Sequence, residues 1–193
     1  MVDSRRAYQS DSQFLDRLAR DGMGGAIFSA QAGNGRYIDN VAINSPDLGN
    51  GSMVANQAFL MKFRTPARII VNAISLWCAS SAGGGTVDAA IYRRTGATTF
   101  SKMSTESPVA VAVNELVVPF ATPIELLPGV DYWAASSVSE STSTFTRGQV
   151  TITAAQAAVD DQLIVKAASH PLPATISAPT AHQNYFWNRV RGS

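Results

Sequence analysis

Charge is scarce in this sequence. Asp, Glu, Lys and Arg make up 15% of its 193 residues, against roughly 25% in an ordinary soluble domain. The two signs nearly cancel, leaving a formal net charge of +1. Such a chain exerts no global pull on nucleic acid or on an anionic membrane surface, so neither is expected as a partner. Cysteine is reduced to Cys78, which excludes an internal disulfide and demands no oxidising compartment. Histidine is reduced to His170 and His182. No apolar run approaches the ~20 residues of a membrane-spanning helix, so membrane insertion is not expected. The first residues carry Arg5 and Arg6 but no following apolar stretch, so no secretory signal is expected there.

What is present is apolar and small. Hydrophobic residues reach 46%, enough to build a core and too many for a disordered chain. The length suits one domain with ordered extensions. Ser, Thr, Ala, Gly, Asn and Gln must supply most of the surface, and such a surface suits a chain packed against other chains.

Along the chain the pattern divides in three. Residues 1–55 read as an N-terminal arm with one short helix. Ser10 and Gln13 have capping-box spacing, Phe14, Leu15 and Leu18 share a face, and Gly22 is a natural stop. About three turns of helix are marginal alone in water, so this stripe is expected to dock, on its own domain or on a neighbour. Short strands are expected over 26–29 and 37–43, and a turn over 45–52 from its Pro, Asp and Gly content.

Residues 56–166 carry the strand pattern. Strands are expected over 59–63, 67–78, 86–93, 98–103, 109–113, 115–120, 123–127, 130–136, 145–152 and 162–166. The run 67–78 barely alternates, as expected of a central strand or one buried on both faces. In 86–93, Val87, Ala89 and Ile91 lie on one face and Asp88, Ala90 and Tyr92 on the other. Tyr132 and Trp133 must point to opposite faces, and Ala134 and Ala135 leave both faces small. Strands at intervals of 8–15 residues with turn chemistry between them predict an all-β, antiparallel jelly-roll β-sandwich of about eight strands. Residues 167–193 form a Pro-rich tail ending in Tyr185, Phe186 and Trp187, followed by Arg189 and Arg191. It reads either as a final edge strand folding back or as a docking tail inserted into another subunit.

The chemistry-bearing residues are few. Both histidines lie in the Pro-rich tail with no orienting partner visible, and a general base needs one. The segment Asp47 to Gly51 resembles a calcium loop only faintly and lacks the further acids. Cys78 has no histidine or nucleophile motif beside it and reads as an inert buried thiol. The glycines at 83–85 are a loop, with no Lys-Ser/Thr after them. No catalytic role, metal site or cofactor is expected. Sugar-binding sandwiches use exposed aromatics as platforms; Trp133 and Tyr92 are the leading candidates here, with Trp77, Tyr132 and Phe100 behind them. Arg5–Arg6, Arg93–Arg94 and Arg189/Arg191 do not form a basic stripe.

The phrases VDAAIYRR and NELVVPFATPIELLPGVDYWAASSVS carry a recognisable pattern. The elements are Ala90–Tyr92 ("A-x-Y"), residues 118–126 ("V-P-F-x-x-P-I-x-L") and residues 127–135 ("L-x-P-G-x-x-Y-W-A-A"). Over roughly residues 65–140 the chain resembles a jelly-roll module of bacteriophage fibre, baseplate and head-accessory proteins. The resemblance is a packing signature and not a site. It implies a structural component of a tailed-phage virion, assembled in host cytoplasm. The implied form is a homotrimer, acting as a head-accessory protein (decoration, cement or head fibre) through contacts with other virion proteins. Phe14, Leu15, Leu18, Tyr185, Phe186 and Trp187 are the expected assembly contacts. The alternative is a short tail-fibre or baseplate receptor-binding protein, or a carbohydrate-binding module recognising a host-surface glycan.

Overall fold

The computed structural model describes residues 37–39, 48–65, 68–149, 163–167, 169–181, 184–186 and 188–192. The expected helix from Ser10 and the strand over 26–29 lie outside these residues, as do Phe14, Leu15, Leu18, Asp47, His182 and Trp187.

The described residues are all-β. In chain order the strands are β1 (Tyr37–Asp39), β2 (Leu48–Ser52), β3 (Gln57–Phe63), β4 (Ile69–Ser80), β5 (Thr86–Arg94), β6 (Thr99–Lys102), β7 (Val109–Ala110) and β8 (Asn114–Leu126). They continue as β9 (Tyr132–Val138), β10 (Thr144–Gln149), β11 (Leu163–Ala167), β12 (Thr175–Ser177), β13 (Thr180–Ala181), β14 (Asn184–Phe186) and β15 (Asn188–Gly192). They form two antiparallel sheets. Sheet 1 runs β1-β15-β4-β10-β14, with β8 also on β4 and β2 also on β10; sheet 2 runs β12-β6-β5-β9-β3-β11-β13, with β7 on β5. From β3 to β5, and again from β8 to β11, each successive strand lies in the other sheet.

Strand alternation puts one apolar row of each strand between the sheets. Ile74, Leu76 and Val118 of sheet 1 meet Phe59, Ile91 and Tyr132 of sheet 2 in this main core. β4 is central, flanked by β15 and β8 over most of its length; Ala73 to Leu76 are buried without a break, while Ile70 and Ser80 are exposed. The turn after β8 follows from its residues. Pro128 sets the first central position, and Gly129 takes φ 74°, as the second position of a type II turn requires. Tyr132 locks the turn from below by accepting a hydrogen bond from the Leu127 amide at 2.9 Å.

Three expectations change. The segment read as a turn over 45–52 contains strand β2, in register with β10 from Leu48↔Gly148 to Ser52↔Thr144. Its glycines cost strand propensity, but a Cβ at Gly51 would collide with the Arg147 side chain lying across it. The two strands expected at 115–120 and 123–127 are one bent strand. β8 shifts register opposite Val71 and Ala73, and at the bend Phe120 bridges Glu106 while the Ala121 amide donates to the Thr105 carbonyl at 2.7 Å. The tail expected to end as one edge strand forms two: β14 stands at the end of sheet 1 beside β10, whereas β15 lies between β1 and β4.

β14 settles where Phe186 goes. It is 3% exposed in the main core and meets Phe59 edge-on, with ring centroids 4.9 Å apart. Tyr185 pairs with Gly148 through β14. Phe186 is therefore a core residue of its own domain and not a free docking contact. Phe186→Ala is expected to cost about 3–5 kcal/mol of stability in denaturant unfolding, as large aromatic truncations in cores do. A docking-tail residue would leave the unfolding midpoint unchanged.

Candidate functional site

The outer faces of the two sheets differ. On sheet 2 the outward row is apolar: Ala90, Tyr92, Phe100, Trp133 and Ala135 form a second cluster with Leu172 and Ile176. The covering side chains come from the chain itself. After β11, residues 169–177 cross this face and end as β12, paired with β6. Trp133 and Tyr92 are 1% and 0% exposed beneath them. Phe100 stacks edge-on to Trp133 at 4.9 Å between centroids, and Lys62 and Arg94 lie over the indole at 5.7 and 5.9 Å. The platform reading thus fails for both residues, since neither offers a ring face to a sugar. Tyr132 and Phe100 are buried as well. Trp133 does point outward, as its place in the strand requires, but its own tail covers it.

The crossing segment is held by polar bonds. The Leu172 amide donates to Asp88 Oδ2 at 2.8 Å, and the Leu172 carbonyl accepts from Lys102 Nζ at 2.9 Å. The Tyr92 hydroxyl donates to the Pro173 carbonyl at 2.5 Å. Lys102 also pairs with Glu106 at 2.7 Å. Burial pushes the Tyr92 phenol up and raises the Glu106 carboxyl, although Lys102 and Ser104 pull Glu106 down. His170 sits between the Thr86 and Ser137 hydroxyls, each 3.0 Å from a ring nitrogen. The sequence showed no orienting partner for it; the fold supplies two hydroxyls, from strands β5 and β9.

Sheet 1 presents a different outer face. Opposite positions in register are Trp77↔Glu115, Ser75↔Val117 and Ala73↔Pro119 on the β8 side, and Ser75↔Arg189 and Ala73↔Arg191 on the β15 side. At its centre the Ser75 hydroxyl donates to Glu115 Oε1 at 2.7 Å, Arg191 Nη2 pairs with Glu115 Oε2 at 2.8 Å, and Arg189 approaches Glu115 Oε1 at 3.7 Å. Burial works to raise the Glu115 carboxyl, but the Ser75 and Arg191 hydrogen bonds and the two guanidinium charges hold it below the usual range. Beside this knot Trp77 is half-buried and Val117 is 37% exposed; Ile70, 50% exposed, lies further along β4 opposite Glu125. Of the aromatics that the sequence offered as platforms, Trp77 is the one the fold leaves partly open on an outer face. Cys78, its neighbour, points inward; it is fully buried and donates to the Ser80 carbonyl at 3.2 Å.

The alternation of Arg189 and Arg191 is visible in the sequence, and Ser75 and Glu115 are not visible as their partners, because the pairing depends on register across three strands. No protein-family model and no curated protein matches the chain.

The lowered Glu115 carboxyl has a testable sign. A carboxylate depressed in the folded state stabilises fully above its unfolded value of about 4.3 and loses that contribution as pH falls through the folded one. Glu115→Gln is expected to lower stability at pH near 7 and to flatten the stability profile between about pH 5 and 2. Parallel acid profiles for both proteins would contradict the knot.

Proposed function

We propose that the chain is a structural component of a tailed-phage virion, a jelly-roll protein that works by contact with neighbouring subunits. One observation carries this reading: the contrast between the two outer faces. The outer face of sheet 2 is closed by the chain's own tail. The outer face of sheet 1 carries exposed Val117 and half-buried Trp77 beside the Glu115 ion pairs, with exposed Ile70 further along β4. Covering exposed Val117 and half-buried Trp77 takes apolar area out of water, which favours contact with a protein surface.

The jelly-roll reading draws support from the crossing of successive strands between sheets. It also draws support from where the recognised phrases sit. Tyr92 and Trp133 are direct cross-strand partners, and the Pro128–Gly129 turn is the one locked by Tyr132. The head-accessory role and the homotrimer come from the resemblance. Assembly is assigned to the outer face of sheet 1 in place of Phe186.

A second reading rests on Trp77. An aromatic half open on a sheet face, directly opposite Glu115 in register, also suits a carbohydrate, which stacks on the ring and bonds the flanking polar groups.

Light scattering on the purified chain is expected to give about three times 20.4 kDa; a monomer at high concentration would sink the trimer. Val117→Asp is expected to weaken subunit association or particle incorporation by about thirtyfold, the size of one interface hot spot. Trp77→Ala separates the readings. Loss of glycan-array binding with normal incorporation supports the carbohydrate module, and the reverse supports assembly.

A further inference from the structure

We propose that the open edge of β8, residues 115–119, pairs with the same edge of a second copy of this chain, the two strands running antiparallel about a two-fold axis at Val117. β8 has 13 residues and pairs in sheet 1 with β4 alone. Other strands at the sheet margins are short: β1 and β12 have three residues, and β7 and β13 have two. Short margins are one way a fold avoids gaining a strand, and prolines, bulges and covering segments are others. β8 has such devices in its second half, where Pro119 and Pro123 lie, the register shifts, and Glu106 bridges Phe120. Residues 114–118 carry no proline and keep an unbroken register with β4, and Val117 is 37% exposed.

The main-chain groups on this edge have a fixed direction. The Ala121 amide points away from β4, to the Thr105 carbonyl at 2.7 Å. Groups alternate along a strand, so Pro119, Val117 and Glu115 turn theirs to the same side. Pro119 agrees, because a strand tolerates proline where the missing N–H would face the margin. Among the described residues no strand pairs with that side of residues 114–118. An extended main chain is what matches such a row of donors and acceptors.

The edge is complementary to itself. With Val117 at the axis, the two Val117 residues exchange both main-chain bonds, and each Glu115 amide donates to the Pro119 carbonyl of the second copy. Val117 then faces Val117 and Glu115 faces Pro119, so no like charges meet; an axis at Glu115 would set two carboxylates opposite one another. Glu115 already has its cations in Arg189 and Arg191 of its own chain. A net charge of +1 adds little repulsion between copies. The contact is two-fold, so it doubles whatever unit it acts on, a single chain or a trimer closed through the outer face of sheet 1, and it does not rest on the trimer.

The test is light scattering on the full chain from about 1 μM to about 1 mM, for the native chain, Val117→Pro and Val117→Thr. Val117→Pro removes an amide that faces the edge and leaves the bonds to β4, as Pro119 does in the same strand. Val117→Thr keeps the amide and the β-branched shape. The native mass is expected to double over this range, and Val117→Thr to double with it. Val117→Pro is expected to stay at the lower mass, its affinity down about a hundredfold, about tenfold for each of the two amide bonds removed. No doubling in the native chain, doubling of Val117→Pro at the native concentration, or equal loss in Val117→Thr and Val117→Pro overturns the proposal. The starting mass, one chain or three, reports on the trimer separately. Should Val117→Pro fail to fold, amide exchange of the native chain at both ends of the range decides. Protection gained at Glu115 and Val117 as the mass doubles supports the pairing, and unchanged exchange there overturns it.

Discussion

Everything in the described fold leans on one strand that is buried on both sides. All seven residues of β9, Tyr132 to Val138, are inaccessible. Its inward row, Tyr132, Ala134, Ser136 and Val138, faces sheet 1, and its outward row, Trp133, Ala135 and Ser137, faces away from it. A strand of this kind needs cover on two faces, and a two-sheet sandwich provides one. The tail provides the other. Leu172 and Ile176 each remove an aliphatic side chain from water on Trp133, Tyr92 and Phe100, worth about 1.5–3 kcal/mol apiece. The tail therefore belongs to the domain's architecture, first as a cover for sheet 2 and then as β14 and β15 inside sheet 1.

The low charge content takes on meaning in this setting. The charges that remain are used mainly as fixings. Lys102, paired with Glu106, holds the crossing segment, Lys62 and Arg64 share Asp131 where β3 ends and β9 begins, and Glu115 gathers Arg189 and Arg191 on sheet 1. Exposed ion pairs add little stability, but the partly buried Glu115 group ties β4, β8 and β15 together, strands far apart in sequence. A surface with so little charge leaves apolar residues such as Val117 and Ile70 as part of its outward signal.

Much of this was legible in the sequence where period and turn chemistry act locally. The alternation of Val87, Ala89 and Ile91 against Asp88, Ala90 and Tyr92 gave both faces of β5. Tyr132 and Trp133 divided between core and outer face, and Pro128–Gly129 made its turn. What was not legible depends on distant pairing. β2 reads as a turn because its glycines carry no strand propensity, and only β10 and the Arg147 side chain make it a strand. The aromatic run at the C-terminus looked like a docking device because nothing local shows that β10 and β4 leave a place for it. Trp133 and Tyr92 looked like surface platforms for the same reason, since their lid comes from residues 172–176. Asp88, a lone charge among small residues in a strand, was the available signal that something polar would arrive on that face.

The proposed assembly role puts the working surface on the outer face of sheet 1, since the chain itself closes that of sheet 2. Hydrogen exchange of the free chain against the chain incorporated in a particle tests that proposal. Assembly is expected to add protection on β8 and on β15, around Glu115, Val117 and Arg189, and to leave Trp133 and its neighbours on β9 as protected as before. New protection confined to sheet 2, with β8 and β15 unchanged, would contradict the account.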